Sequence, residues 1–518
     1  MSEHRGLPPY QIARAALVIM VAYVLSNLVG LARQIVVSQA FGTSAELDAY
    51  WAAFRLPDFL FTLVAGGALA SAFLPTFTAA LARGDRLEAW RLASAVANLV
   101  LIILICGAIL LAVAAPLLVA TVVAPGFSSS QQAWTVHLMR VMVLSPILFG
   151  LSGLLSAILN AHQHFLLPAI APILYNVGIM IGAVFLAPLP GMGVRGLAFG
   201  VVLGAALHLA IQLIGLKGRS AQYIPTLGLN DPQLYEVARL MLPRMLGVAV
   251  VQLNFQVNTI LASGLEAGSL SALTLAWMIF LLPQAVIAQS AATAAFPTLA
   301  TLVAQGRLDE MRHTLAMTLR NVLFLAIPAS LGLILLRDPL IRFLFQRGEF
   351  DARSTALTSW ALSLYGLGLV GHSVLEVLVR AFYAMHDTRT PVVVGAGAMG
   401  LNIVLSLTLI QVFRPLGLFP HGGLALANSM AATAETLVLV WLIRKRLGGL
   451  EGRRTLATLV RASVAALGMA LVVLASATWL PVRSDPWIVA SGVALGGGVY
   501  LGLSLLLRSE EVHSLRVR

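Results

Sequence analysis

"VANLVLIILICGAILLAVAAPLLVATVV", residues 96–123, runs for 28 residues without a charged side chain. About 20 such residues, wound as a helix, cross the hydrocarbon core of a bilayer. The run does not alternate polar with apolar, which excludes a strand of a membrane barrel. A comparable run, "LVRASVAALGMALVVLASATWL" (459–480), lies near the other end, and others recur between them. Of the 518 residues, 59% are hydrophobic and 10% are charged, with a mean hydropathy of +0.91. A soluble domain carries about 25% charged residues. The sequence therefore predicts an all-α polytopic membrane protein.

The apolar runs give about 14 candidate transmembrane helices, from 12–40 to 486–507; those over 25 residues are read as tilted, kinked at Pro57, Pro146 and Pro283, or extended into solvent. Arginine and lysine concentrate in one set of short loops: Arg5 and Arg14, Arg83 to Arg91, Lys217 and Arg219, Arg307 to Arg320, Arg380 and Arg389, Arg444 to Arg461, and Arg508, Arg516 and Arg518. The alternate loops, such as "FGTSAELDA" (41–49), "APGFSSSQQ" (124–132) and "SGLEAGS" (263–269), are poor in cations. Cationic loops stay in the cytoplasm, so both termini are expected there. One basic stretch, "RDPLIRFLFQRGEFDAR" (337–353), falls on the opposite side and reads as an interfacial amphipathic segment. The formal charge of +12 is thus a topology signal, and no nucleic-acid partner is expected. A single cysteine, Cys106, allows no intrachain disulfide. The first apolar run lacks a small-residue cleavage site and is expected to be retained. Metal-ligand clusters, phosphate loops and nucleophile elbows are missing, so no catalytic residue, metal or cofactor is expected.

Three pairs of segments repeat in the same order at an offset of roughly 220 residues. "LPTFTAALARGDRLEAWR" (74–91) resembles "FPTLATLVAQGRLDEMR" (296–312). "LNAHQHFLLP" (159–168) resembles "FYAMHDTRTP" (382–391), and "RGLAFG" (195–200) resembles "GGLALA" (422–427). The expected organisation is two six-helix halves, 1–220 and 231–446, followed by two additional helices in 455–518. An even number of spans per half makes this a parallel pseudo-twofold repeat.

Charges inside apolar runs mark the candidate site, because a charge at mid-membrane costs at least a few kcal/mol. "LDAYWAAFRLPDFLF" (47–61) sets Asp48, Arg55 and Asp58 on one helical stripe, which Thr62 extends. Asn27, Gly30 and Arg33 share a face of the first span. Span seven offers Arg244, Gln252, Asn254, Gln256, Asn258 and Thr259. One reading is a polar cavity between the halves whose cations receive an anionic substrate. The other is that Arg33 and Asp48 reach to the outer interface while Arg55 and Asp58 pair locally. His162, His164 and His386 read as surface groups in turns. His208, His372, Glu376 and Glu435 lie in apolar runs and read as packed polar pairs, or else as a proton relay.

The stretch "SNLVGLARQIVVSQAFGTSAELDAYWAAFRLPDFLFTLVAGGALASAFLPTF" (26–77) resembles the signature of the MurJ/MviN lipid II flippases. These belong to the multidrug/oligosaccharidyl-lipid/polysaccharide exporter superfamily. "APGF" (124–127), "ILNAHQHFLLPAIAPILYN" (158–176), "NTILAS" (258–263) and "FQRGEF" (345–350) match in order, so the resemblance covers essentially the whole chain. It implies a flippase of the bacterial inner membrane, not an enzyme. The implied substrate is lipid II, the undecaprenyl-diphosphate-linked peptidoglycan precursor, which crosses by alternating access. Cavity cations would hold the diphosphate, and a groove beside the last two spans would hold the tail. The substrate-binding residues it implies, with those read from the polar faces, are Arg33, Asp48, Arg55, Asn27, Arg244, Asn254 and Asn258. Several family charges are replaced here: Asn27 on the first span, Phe61, Thr62 and Gly66 on the second, and Trp277, Met278 and Leu281 on the eighth. Asn258 and Ser406 stand where family members carry the acids of a sodium site. Three further readings therefore stay open. They are an exporter of another polyprenyl-diphosphate-linked saccharide, a cation-coupled multidrug exporter, and a transport-dead scaffold recruiting wall-synthesis enzymes, marked by a cavity filled by Trp277.

Overall fold

The computed structural model describes residues 9–64, 68–218, 221–479 and 484–512. Arg5, Gly66, Arg219, Arg516 and Arg518 lie outside the described residues, as does the side chain of Arg14. Every regular element among the described residues is helical. The chain divides into two compact units, Met1–Ala267 and Gly268–Arg518. Among the described residues, eleven helical stretches are long and apolar enough to cross a membrane, or twelve if the pair Ala352–Leu367 and Leu369–Ala384, bent by 49°, is one span. The chain is thus a multi-pass helical membrane protein.

The first unit contains α1 (Pro9–Phe41), α2 (Ala45–Val64), α3 (Ala68–Ala82), α4 (Arg86–Leu118), α5 (Ser129–Met142), α6 (Leu144–Ala161), α7 (Leu166–Ile181), α8 (Val194–Ile214) and α9 (Pro232–Ser263). Its core gathers Phe73, Phe77, Trp90, Leu104 and Ile158 under α3, α4 and α6. Helices α7 and α8 meet backbone to backbone: a Cβ placed on Gly178 would lie 2.3 Å from the Gly204 Cα. Small residues at such seams let helices approach closely where lipid supplies no hydrophobic drive. The segment between α8 and α9 is an extended strap fixed to α4. The Ile224 backbone N–H donates to Ser94 Oγ at 3.0 Å. Asn98 Nδ2 donates to the Thr226 carbonyl at 2.8 Å, and the Tyr223 hydroxyl donates to Asn98 Oδ1 at 2.9 Å. Asp231 then caps α9 by accepting from the Gln233 N–H, with Pro232 at the first helical position. Helix α9 packs on α2, α3 and α4 and belongs with the first unit.

The second unit contains α10 (Ser269–Gln284), α11 (Ser290–Ala304), α12 (Leu308–Leu335), α13 (Arg337–Phe345), α14 (Ala352–Leu367), α15 (Leu369–Ala384), α16 (Arg389–Phe413), α17 (Gly422–Arg446), α18 (Gly452–Trp479) and α19 (Asp485–Leu506). Helix α12 packs on α15 and α18, and α19 packs on α18 and α13. The Tyr500 hydroxyl donates to the Phe324 carbonyl at 2.6 Å, tying α19 to α12. Arg342 Nε meets Asp485 Oδ1 at 2.9 Å, so the short basic helix α13 is fastened to the start of α19.

Among the described residues, three π turns interrupt the long spans, at Val119–Val123, Gly182–Leu186 and Ala285–Gln289. Pro116 and Pro283 lie just before the first and the third. Proline lacks the N–H that an α-helical turn needs, and a widened turn absorbs the misfit.

Candidate functional site

The first unit brings most of the expected polar residues onto α1, α2 and α9. Helix α2 opens with Ser44, whose Oγ accepts from the Leu47 N–H at 3.2 Å. Glu46 and Asp48 occupy its first turn, where the helix dipole favours negative charge. Asp48 is buried, at 2% exposure. About two and three turns later, Arg55 and Asp58 both reach across to α9. Arg55 Nε donates to Thr259 Oγ1 at 3.0 Å. Gln252 Nε2 donates to Asp58 Oδ2 at 3.3 Å. Four residues beyond Gln252, Gln256 Nε2 donates at 2.8 Å to the Val122 carbonyl within the first π turn. A widened turn frees carbonyls, and Gln256 satisfies one of them. The polar residues of α9 thus form a ladder against α2 and the end of α4.

Arg33 on α1 is placed differently. It is half-buried and makes no ion pair or hydrogen bond with another described residue. Its charge acts on the phenols of Tyr50 on α2 and Tyr175 on α7. Gly30, one turn earlier, faces Asn176 of α7: a Cβ there would sit 3.8 Å from Asn176 Nδ2. Asn176 is itself 8% exposed and donates to the Pro172 carbonyl at 3.0 Å. A guanidinium offers five donors in a planar fork, which suits it to bidentate binding of a phosphate.

The remaining expected residues fall as follows. Asn27 is exposed and donates to the Tyr23 carbonyl of its own helix at 2.9 Å. Asn258 lies on α9 beside Thr259, and its Oδ1 is buried without a hydrogen-bond partner among the described residues. The side chains of Arg244 and Asn254, although on α9, lie outside the described residues. Ser406 Oγ donates to Asn402 Oδ1 at 3.1 Å within α16. Trp277 stacks on Phe280 at 4.9 Å and touches Tyr365 and His372, inside the second unit. Of the histidines, His162 Nδ1 lies 2.9 Å from the Ile158 carbonyl and its ring stacks on Trp90. His208 joins Ser152 and Gln212 in a polar brace between α6 and α8. His372 bonds Asn428. The sequence alone does not single out Tyr50, Tyr175 or Asn176. The available signal is a lone Asn inside the apolar run of α7.

Outside the membrane-spanning stretches, two carboxylates are strongly held. Hydrogen bonds from the Thr390 hydroxyl and backbone N–H, and then the Arg446 guanidinium, hold the Asp387 carboxyl down to about 2. Burial pushes Glu451 upward, but hydrogen bonds from His313 and Arg320 outweigh it and leave its carboxyl below the usual range.

The family described as "Lipid II flippase MurJ" matches residues 37–495. A lipid II flippase MurJ of Burkholderia cenocepacia is 34% identical over 444 residues, 84% of each chain. A probable lipid II flippase MurJ of Rhizobium tropici is 31% identical over 497 residues, covering 93% of this chain and 89% of the relative. Among solved structures, a lipid II flippase MurJ in an inward closed conformation superposes with a TM-score of 0.76 at 25% identity, over 95% of this chain and 99% of that one. An inward-facing multidrug transporter of the MATE family shares the fold, with a TM-score of 0.68 at 17% identity, over 84% of this chain and 99% of that one. A family match across most of the sequence, relatives above 30% identity over most of their length and an agreeing fold lead to one assignment: this chain belongs to the lipid II flippase MurJ family.

Proposed function

We propose that this protein is a flippase that carries lipid II, a lipid-linked peptidoglycan precursor, outward across the bacterial cytoplasmic membrane by alternating access. The observation that carries the reading is Arg33: a half-buried guanidinium in a membrane helix, without a counter-ion among the described residues. An unneutralised charge at that depth is costly unless a ligand or water uses it. A diphosphate supplies the matching charge and geometry. Arg55 and Asp58 are engaged with α9, so they shape the site and Arg33 meets the anion. Arg55, Asp48, Asn27, Asn258, Arg244 and Asn254 complete the proposed substrate-binding set.

We further infer a 14-span topology with both termini in the cytoplasm. The charged helix α2 and the polar helix α9 add two spans to the twelve that composition alone supports. Two six-helix halves, 1–220 and 231–446, with 455–518 appended, remain the proposed organisation. A brace within each unit supports it. Ser152 bonds His208 at 2.6 Å, between α6 and α8. His372 bonds Asn428 at 3.0 Å, between α15 and α17. Both pairs are separated by 56 residues, and the second lies at the repeat offset from the first. The test of function is complementation: expression of this chain should restore growth and shape to a bacterium depleted of its own lipid II flippase. Failure at normal membrane abundance would favour a different polyprenyl-diphosphate-linked saccharide as the substrate.

A further inference from the structure

The second unit contains a cavity of about 590 Å³ between α10, α11 and α15, within the ~300–1,000 Å³ typical of ligand clefts. Its polar lining includes His372, whose ring is bonded to Asn428, and an ion pair that is already neutral. Arg380 Nη2 donates to Glu376 Oε1 at 2.9 Å. Arg380 Nη1 also reaches the Gln289 carbonyl at 3.3 Å, on the third π turn, and donates to Thr293 Oγ1. Gln284 lines the same cavity. It is only 7% exposed, and its Oε1 finds no donor among the described residues. A buried acceptor without a donor is costly, so its presence on a cavity wall points to a donor that arrives from outside. Phe296 and Tyr383 are both partly exposed on the cavity lining. Arg380 lies four residues before the end of α15, which is about 6 Å along the helix axis. That depth matches the headgroup layer of a bilayer if α15 ends at the membrane surface.

We propose that this cavity binds a zwitterionic headgroup in which a primary ammonium lies close to an oxyanion. The oxyanion would sit on Arg380, and the ammonium would bridge Glu376 and the Gln284 Oε1. A neutral ion pair can open to a zwitterion by exchanging one pair for two, with no net charge left over. A net anion or cation would leave one member of the pair uncompensated in a low-dielectric site. A primary ammonium suits the site, because its three N–H donors can serve a carboxylate and an amide oxygen together, whereas a quaternary ammonium has no N–H to donate. Two sources carry this chemistry: an ethanolamine phospholipid, and the peptide portion of a lipid-linked precursor. The cavity belongs to the second unit and does not rest on the Arg33 reading.

The test uses the full-length protein in detergent, with binding read by tryptophan fluorescence and melting temperature. The probes are dihexanoyl phosphatidylethanolamine, phosphatidylcholine and phosphatidylglycerol, and dialanine with and without an N-acetyl cap. The expected result is about tenfold tighter binding of ethanolamine than of choline or glycerol headgroups, of free over capped dialanine, or of both. Ethanolamine alone identifies a lipid site, and dialanine alone a peptide site. Glu376→Gln should abolish the preference. Gln284→Leu should abolish it without lowering the melting temperature, since the amide oxygen has no partner to lose. Equal binding of all headgroups together with equal binding of free and capped dialanine, no binding of any probe, or an intact preference in Gln284→Leu would overturn the proposal. If Glu376→Gln does not fold, the wild-type panel and Gln284→Leu still decide.

Discussion

Replacing Arg320 by alanine should be among the most damaging single changes in the second unit, although it lies far in sequence from the residues proposed to bind substrate. Arg320 is on α12, with its side chain 7% exposed. Its Nη1 meets Glu451 Oε2 at 2.6 Å, and its Nε lies 4.0 Å from Glu511 Oε1. Glu511 is 4% exposed and accepts from Thr458 Oγ1 at 2.6 Å. The guanidinium therefore joins α12 to the turn before α18 and to the segment after α19. Where apolar side chains of these helices part, lipid takes their place at little cost. Charge compensation has no such substitute, because Glu511 stays buried. Removing one member of a buried ion pair costs about 3–5 kcal/mol. The lower end applies here, since Glu451 is 19% exposed and water can reach it. The assay is chemical unfolding of Arg320→Ala, Glu511→Gln and the double variant in detergent. The double variant should lose clearly less than the sum of the singles, with a coupling of about 0.5–3 kcal/mol. A loss below about 1 kcal/mol for Arg320→Ala, or additivity within about 0.5 kcal/mol, would refute the reasoning.

Three more outcomes are expected. Gly178→Val should destabilise the first unit by about 1–3 kcal/mol, because the new Cβ meets immovable backbone at 2.3 Å. Gly397→Ala, with nothing within 4 Å of its Cβ, should be neutral or slightly stabilising; equal melting shifts for the two would contradict the packing. Arg446 Nη1 lies 2.5 Å from Asp387 Oδ2, and the folded carboxyl titrates at about 2. A depressed carboxyl stabilises above its unfolded value of roughly 4 and loses that contribution as pH falls toward 2. The melting-temperature gap between wild type and Arg446→Met should thus be constant from pH 7 to about 4 and shrink below it; a gap that widens in acid would reverse the sign. Replacing sodium by choline should leave the flipping rate in proteoliposomes nearly unchanged, because neither Asn258 nor Ser406 supplies the carboxylate that a hard cation prefers. A collapse in rate would require a sodium site elsewhere.

Residues 96–123 are enough to assign the membrane class, because a charge-free run of that length has few other stable environments. The charged stripe of α2 is equally legible, since helical spacing alone puts Arg55 and Asp58 on one side. What they touch is not: Thr259 is 204 residues away from Arg55, and their meeting is a property of packing. Local pairing of Arg55 with Asp58 is one expectation from the sequence; the bonds that each also makes to α9 are not readable from it. The strap at 221–231 reads as a linker, because short polar segments do not show that Ser94 and Asn98 will hold them. The π turns are hidden as well. A proline marks a disturbance, but Gly182–Leu186 has a π turn with none just before it. Arg33 stands out in sequence as a cation in an apolar run, while Tyr50 and Tyr175 do not, since aromatic residues are ordinary in membrane helices.

The most direct test of the account is lipid II flipping by the purified protein in proteoliposomes, measured as loss of labelled headgroup protection from an added enzyme. Wild type should flip, Arg33→Ala should be inactive while folded and normally reconstituted, and Arg33→Lys should recover part of the rate, as a point charge replacing a bidentate fork. Full flipping by Arg33→Ala would remove the guanidinium from the mechanism and contradict the central claim.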